Sequence, residues 1–267
     1  MRHFLFSFAA IAALTACGNE TSPSAAPTQN EPDITAQYPV QLQSIGEGIW
    51  VHTSAYTYPG GAVVPSNGLV IEEEDGLILV DTAWGEMATA SLLKSLKDKT
   101  SKDVKKLIVT HHHYDRLAGV DILEREGVDV VSHPSTAALS AAKGTPVPNS
   151  SVSELGTVPA RVKIGSVEVA YPGPGHTEDN LVVYVPSANI LFAGCLVRGA
   201  DQTSLGNIDD ANIEGWQKSL AWTKVTYKDA KLVIPGHGKG STLNLIDKTI
   251  KLAAEAQAKE TAAAPKE

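Results

Sequence analysis

The stretch Leu107-Ile108-Val109-Thr110-His111-His112-His113-Tyr114-Asp115-Arg116 changes character at its first histidine. Three apolar residues and a threonine give way to imidazoles, a carboxylate and a guanidinium. This reads as a buried strand ending in a polar turn, with a helix beginning near Leu117. Side chains alternate along a strand, so His111 and His113, two apart at its end, can point to one side. Asp115 is two further on and opens the turn. Two imidazoles and a carboxylate in one small volume suit a borderline cation such as Zn²⁺.

Further donors follow other apolar runs. His176 comes after Tyr171-Pro172-Gly173-Pro174-Gly175, Cys195 ends Ile190-Leu191-Phe192-Ala193-Gly194, and His237 ends Leu232-Val233-Ile234-Pro235-Gly236. Open α/β sheets collect their sites at strand ends and in the loops that follow. One histidine at a strand end reads as a structural residue, and a histidine triplet alone as a polar turn. Six donors of nitrogen, oxygen and sulfur type, each behind an apolar strand, read as a metal site.

The rest of the chain alternates in the same way. β-rich runs lie at 49–52, 67–72, 76–81, 106–110, 128–132, 160–164, 167–171, 180–185, 190–193 and 232–235. Helical patterns lie at 85–98, 118–126, 134–142, 213–225 and 242–258. Strands mixed with crossover helices predict an α/β layered fold. The order of elements is similar in the two halves, which suggests a pseudo-duplication joined near 145–160, although no sequence repeat accompanies it. Asp81-Thr82 precedes the helix that begins near Gly85, and Asp210 and Asn212 are candidate N-caps for the helix at 213–225. Gly60-Gly61 and Pro65-Ser66-Asn67-Gly68 mark a mobile loop before a strand.

The chain has 267 residues, 43% hydrophobic, which is enough for a sizeable core and excludes a wholly disordered, collagen-like or coiled-coil chain. Its formal charge is −8 and no Lys/Arg cluster offsets it, so nucleic acid is not an expected partner. The first residues, MRHFLFSFAAIAALTAC, place a short apolar run after a basic start. The run is too short to span a bilayer and suits a signal peptide over residues 1–16. Leu14-Thr15-Ala16-Cys17 looks like a bacterial lipobox, in which Cys17 is lipidated. Residues 17–40 then read as the lipidated cysteine and a flexible tether spanning about 25 Å, 41–258 as the folded domain and 259–267 as a disordered tail. The expected location is the periplasm, anchored by lipid to the outer membrane, with the chain a monomer. Cys195 is then the one thiol without lipid in an oxidising compartment, which suggests a reactive thiol or a metal ligand.

With these residues in view, the sequence resembles the metallo-β-lactamases of the B1 subclass, and within it the VIM and NDM groups. The resemblance covers roughly 45–258 and rests on VVPSNGLVI (63–71), LILVDTAWG (77–85), THHHYDRLAGVDIL (110–123), YPGPGHTEDNLVVYVPS (171–187), FAGCLVRGADQTSLGNIDDANIEGW (192–216) and VIPGHG (233–238). The wider superfamily shares only the HxHxD core. Two features narrow the match. Arg116 stands where glyoxalase II and the lactonases carry a histidine ligand, and Cys195 stands where they carry a bridging aspartate.

The resemblance implies an αβ/βα four-layer sandwich and two Zn²⁺ ions, one held by His111, His113 and His176, the other by Asp115, Cys195 and His237. His112 would face the other way, free to bond Asp115 or nearby backbone. The implied reaction is hydrolysis of the β-lactam amide of penicillins, cephalosporins and carbapenems by zinc-bound hydroxide, which confers antibiotic resistance. The second ion, with Asp115 among its ligands, would stabilise the charge that develops on nitrogen. Asn207 would donate to the carbonyl oxygen, Arg198 would bind the substrate carboxylate, and Asp81 and Arg116 would orient ligands through hydrogen bonds. Tyr56, Tyr58, Val63 and Val64 around Gly60-Gly61 would fold over apolar parts of the substrate, with Trp84 as a cleft wall. The competing readings are another hydrolase of this fold, a lactonase or thioesterase, and a non-catalytic zinc-binding lipoprotein.

Overall fold

A four-residue strand explains the layering. The computed structural model describes residues 33–263, and in it β4 (Leu77–Val80) has every residue buried. A strand can bury all its side chains only when both faces of its sheet are covered. Ile78 and Val80 enter one hydrophobic cluster, and Leu77 and Leu79 enter another. In β10 (Ile190–Gly194) Ile190 and Phe192 join that first cluster, while Leu191 and Ala193 join a third. The first cluster therefore lies between two sheets, and the other two lie between each sheet and its helices. The result is the four-layer helix–sheet–sheet–helix sandwich.

The first sheet has the order β1-β2-β3-β4-β5-β6, with β1 Gln41–Gly46, β2 Ile49–Thr57, β3 Val63–Glu72, β5 Val104–Ile108 and β6 Asp129–Val131. Its first four strands form an antiparallel meander, and β5 and β6 add in parallel after helical crossovers. The second sheet has the order β11-β10-β9-β8-β7, with β7 Ala160–Ile164, β8 Val167–Tyr171, β9 Val182–Val185 and β11 Leu232–Pro235. It repeats the plan, an antiparallel meander followed by one parallel strand. The pseudo-duplication read from element order is thus present in the topology, and the chain changes sheet between Val131 and Ala160.

Helices α1 (Ile34–Gln37), α2 (Glu86–Thr100), α3 (Tyr114–Leu117) and α4 (Val120–Arg125) belong to the first half, and α5 (Thr136–Lys143) follows β6. Helices α6 (Ile213–Thr226) and α7 (Asn244–Ala263) cover the second sheet through Trp216, Leu220, Leu245 and Ile246.

Several expectations shift. The helix after the histidines starts at Tyr114, so Asp115 and Arg116 lie in a helical turn. Gly119 separates that turn from α4, which carries the expected 118–126 helix over Val120–Arg125. The segment 60–68 is a hairpin: β2 and β3 pair as far as Thr57 with Val63, and Gly60 and Gly61 take positive φ at its tip. The signal peptide, Cys17 and most of the tether lie outside the described residues. The end of the expected tether is structured, because Asp33 caps α1 and Tyr38 and Val40 pack on the first sheet's outer cluster. Likewise α7 continues to Ala263, into the expected tail.

Candidate active site

Strand direction brings the donors together. The C-terminal ends of β4 and β5 in one sheet, and of β8, β10 and β11 in the other, open onto one edge of the sandwich. Backbone bonds join the sheets there: Asn67 N–H donates to the Gly236 carbonyl at 2.8 Å and Leu181 N–H to that of Thr110 at 2.7 Å. The Asn67 amide adds bonds to the carbonyls of Pro235 at 3.0 Å and Gly238 at 2.9 Å.

On this edge His111 Nε2 and His176 Nε2 lie 3.2 and 3.1 Å from His113 Nδ1. Tetrahedral zinc with nitrogen ligands at 2.0–2.1 Å separates them by about 3.3 Å, so both of these pairs have the spacing of a coordination set, and all three nitrogens lie within 4.8 Å of one another. Two of the rings have their other nitrogen committed. His113 Nε2 donates to Asp210 Oδ2 at 3.0 Å. His111 Nδ1 is 3.2 Å from Thr110 Oγ1, whose own hydroxyl donates to Asp81 Oδ2 at 2.9 Å. That relay leaves Thr110 only a lone pair to offer, so His111 carries its proton on Nδ1 and a lone pair on Nε2. Burial, and after it repulsion from neighbouring histidines, holds His111 and His176 well below the ordinary histidine range. Burial also lowers His113, against the pull of Asp210 and Asp115. The set is therefore three neutral imidazoles, the form that binds metal.

Beside it, the ligand atoms of Asp115, Cys195 and His237 lie within 4.8 Å of one another. His237 Nδ1 donates to the Pro65 carbonyl at 2.7 Å, which turns Nε2 toward Asp115 Oδ2 at 3.0 Å. Burial would lower the His237 pKa, but Cys195 and Asp115 outweigh it and raise it to about 9 in the metal-free protein. Carboxylate, thiolate and imidazole are zinc's usual donors, and both sets fit a metal by donor type and spacing.

Arg116 is fully buried. Its guanidinium donates to Asp115 Oδ2 at 2.5 Å, to the Asn67 carbonyl at 2.7 Å and to the Gly236 carbonyl at 3.1 Å, and it reaches Asp81 Oδ2 at 3.4 Å. Asp81, also buried, accepts the Thr110 backbone N–H at 2.8 Å. Both residues thus touch ligand-bearing groups, as an orienting role requires. Burial drives the Asp81 pKa up to about 6, against the pull of Arg116. Arg116 is held above its usual value by Asp115 and Cys195 despite burial.

His113 and His176 of one set and Asp115 and His237 of the other line a cavity of about 440 Å³, together with Tyr58, Val64, Trp84, Arg198 and Asn207. Tyr56 stacks on Trp84 at 5.3 Å and meets Tyr58 edge-on at 5.0 Å, forming an aromatic rim. Arg198 is mostly buried, with Nε donating to the Ser204 carbonyl at 3.0 Å. Asn207 closes a turn, its Oδ1 accepting from Asp209 N–H at 2.9 Å, so its amide N–H groups remain free.

Some residues play parts the sequence did not disclose. Asn212 caps α6 by accepting from Gly215 N–H at 2.8 Å, and Asp210 does not cap it. Asp210 holds His113 instead, and Lys143 Nζ grips its other oxygen at 2.6 Å. Nothing in the local sequence separates such a carboxylate from a cap. The bond from Thr110 to Asp81 was within reach of the sequence, since parallel register of β4 and β5 sets these strand ends level. His112 bonds neither Asp115 nor nearby backbone through its ring; Nδ1 meets Asp179 Oδ1 at 2.9 Å.

A fold of this kind, with paired N/O/S donor sets at the sheet edge and an open cavity above them, defines a metallohydrolase. Residues 61–237 match the model of the metallo-beta-lactamase superfamily, and the chain belongs to that family. It is 39% identical over 215 residues to a metallo-beta-lactamase type 2 of Bacillus sp. (strain 170), covering 80% of this chain and 82% of that one. It is 32% identical over 210 residues to the type 2 enzyme of Bacteroides fragilis, covering 79% and 84%. The crystal structure of the metallo-beta-lactamase FIM-1 from Pseudomonas aeruginosa, in its mono-zinc form, superposes with a TM-score of 0.76 at 34% identity, covering 82% of this chain and 96% of that one. The metallo-beta-lactamase from Hirschia baltica gives 0.77 at 35% identity, covering 80% and 98%.

Proposed function

We propose that this chain is a zinc-dependent β-lactamase that opens the ring amide of penicillins, cephalosporins and carbapenems with two metal ions. The observation that carries this reading is the neutral tri-imidazole set and the Asp115–Cys195–His237 set, with members of both opening onto one cavity. His111, His113 and His176 would hold one ion, and Asp115, Cys195 and His237 the other. Zinc in such sites supplies a Lewis acid and lowers the pKa of a coordinated water to about 7.

The chain's own groups do the rest. Arg198 at the cavity wall presents a cation to the carboxylate beside the β-lactam ring. Asn207 lines the same space, and its amide N–H, free of the turn bond made by Oδ1, can donate to the lactam oxygen as charge gathers there. Tyr58 and Trp84 offer an apolar wall to the substituents. Asp210, Thr110 and the Pro65 carbonyl fix the ligand rings, so little reorganisation is needed during turnover.

The test is hydrolysis of a carbapenem and a chromogenic cephalosporin by purified residues 18–267. Turnover should be abolished by a chelator and restored by zinc. Asn207→Ala should keep its zinc and lose roughly 10²-fold or more in kcat, as loss of one oxyanion donor does. Absence of turnover with zinc bound would overturn the reading. We also propose that lipid on Cys17 anchors the enzyme in the periplasm. Cys17→Ser should then release it from the membrane fraction, and a variant that stays there would refute the anchor.

A further inference from the structure

Arg198 lies in a run, 195–212, that forms neither helix nor strand, so its place has to be set from outside that run. Helix α7 supplies the hold. Thr249 on α7 is fully buried, and its hydroxyl donates to the Leu245 carbonyl at 2.7 Å. That leaves Oγ1 as the acceptor for the Arg198 backbone N–H at 2.9 Å. One residue earlier, Lys248 Nζ donates to the carbonyls of Gly199 at 2.9 Å and Ala200 at 2.8 Å. Three consecutive loop residues are thus tied to one helical turn. The Arg198 side chain is held at its far end as well, with Nε donating to the Ser204 carbonyl. A Cβ on Gly206 would meet Nη2 at 2.9 Å, Nη1 at 3.0 Å and Cζ at 3.1 Å, so Gly206 lies against the face of the guanidinium plane. With that face and Nε taken, the Nη donors are left for the cavity that Arg198 lines.

We propose that Lys248 and Thr249 are positioning residues, which fix the backbone of 198–200 so that Arg198 meets the substrate carboxylate already oriented. The inference rests on the carboxylate role proposed for Arg198 above. A guanidinium gives a carboxylate two parallel bonds only when its plane lies in one orientation. A long side chain on a loose loop samples many, and ordering it on binding offsets part of the gain. Here the ordering precedes the substrate. Lys248 acts through Arg198, because two carbonyls engage its ammonium and it does not line the cavity. The carboxylate is present in the bound substrate and in the transition state alike, so a lost clamp weakens both and shows in KM more than in kcat.

The experiment compares kcat/KM for a chromogenic cephalosporin and for its methyl ester, which lacks the carboxylate charge, in the zinc-loaded enzyme. Arg198→Ala should erase most of the preference for the acid. Lys248→Met alters a partly exposed side chain and should lower that preference about tenfold, through KM, with zinc content as in the wild type. In the Arg198→Ala background the same change should shift it by no more than about twofold, because the clamp then has nothing to position. Thr249→Val loses the acceptor and should follow Lys248→Met, whereas Thr249→Ser keeps it and should retain the wild-type preference. An undiminished preference in Lys248→Met would overturn the inference, whether or not Thr249→Val folds. So would a loss of equal size in the Arg198→Ala background, since Lys248 would then act on the carboxylate directly. A wild type that hydrolyses acid and ester equally, or a preference that Arg198→Ala leaves intact, would overturn the role proposed for Arg198 and this inference with it. Wild-type enzyme that binds zinc and opens neither compound would overturn the β-lactamase reading itself, and both roles with it.

Discussion

Arg116 is a full positive charge with no exposed surface, held by two carboxylates and two carbonyls. Removing one partner of such a buried set leaves the other charges uncompensated, at a typical cost of about 3–5 kcal/mol. Arg116→Met, which nearly preserves volume, should destabilise the metal-free protein by that amount in urea unfolding. A loss under about 1 kcal/mol would show that solvent reaches Asp81 and Asp115 after all. Gly236 sets a second test. A Cβ built there meets Cys195 Sγ at 2.6 Å and Arg116 Nη2 at 3.0 Å. Gly236→Ala should therefore push the thiolate out of line, lose the metal of the Asp115–Cys195–His237 set and keep that of the three histidines. The thiolate-to-cobalt absorption of the cobalt-substituted protein reads this directly, and an unchanged band would refute it. The six donors were legible in the sequence because their chemistry is written in residue type and their place in the strand pattern. Their supports were not. The Pro65 carbonyl that fixes His237 is backbone, which no residue type reveals, and Asp210 has the sequence appearance of a cap.

Helix α2 passes so close to the start of α4 that the contact admits only glycine. A Cβ on Gly119 would meet Thr89 Oγ1 at 2.2 Å and Thr89 Cβ at 2.4 Å, and Thr89 is fully buried. Gly119→Ala should force the helices apart and cost about 1–3 kcal/mol, as overpacking of a filled interior does. Gly119→Ala combined with Thr89→Ser, which removes one methyl, should recover part of the loss; full additivity in thermal unfolding would argue against a steric cause. The apolar period over 118–126 does form a helix, Val120–Arg125, and Gly119 is the residue that parts it from the helical turn at Tyr114–Leu117. Strand β1, Gln41–Gly46, gave no pattern because it is a sheet-edge strand with no fully buried residue, so selection for apolar side chains is weak there. The hairpin of β2 and β3 was hidden for a related reason. Its outer part, from Ala55 to Thr57, is exposed and lacks the apolar alternation that marks a half-buried strand.

The layered architecture was legible because each sheet is covered on both faces, which leaves unbroken apolar runs such as Leu77–Val80. The same double covering makes the stability of the folded chain sensitive to pH, since polar groups between layers cannot change charge freely. His52 on β2 is fully buried, with Nε2 donating to the carbonyls of Val80 at 3.3 Å and Asp81 at 3.1 Å. Burial depresses its pKa from 6.5 to about 4. Above pH 6.5 the ring is neutral in both folded and unfolded chains, and its contribution is intact. As pH falls toward 4, the unfolded chain takes up a proton that the folded chain refuses, so the folded state loses ground. Asp81 acts in the opposite direction, because its pKa is raised from 3.8 to about 6 and the folded state gains as pH falls through that window. The wild-type profile alone therefore mixes two slopes of opposite sign. The His52→Gln variant separates them: it keeps an N–H for the two carbonyls, has no titrating ring and leaves Asp81 in place. Between pH 7 and pH 5 the wild type should lose about 2 kcal/mol more than this variant in denaturant unfolding of the metal-free protein, at about 1.4 kcal/mol per pH unit below the unfolded pKa. Parallel profiles would mean that the folded state accepts a proton on His52 and that water penetrates between β2 and β4.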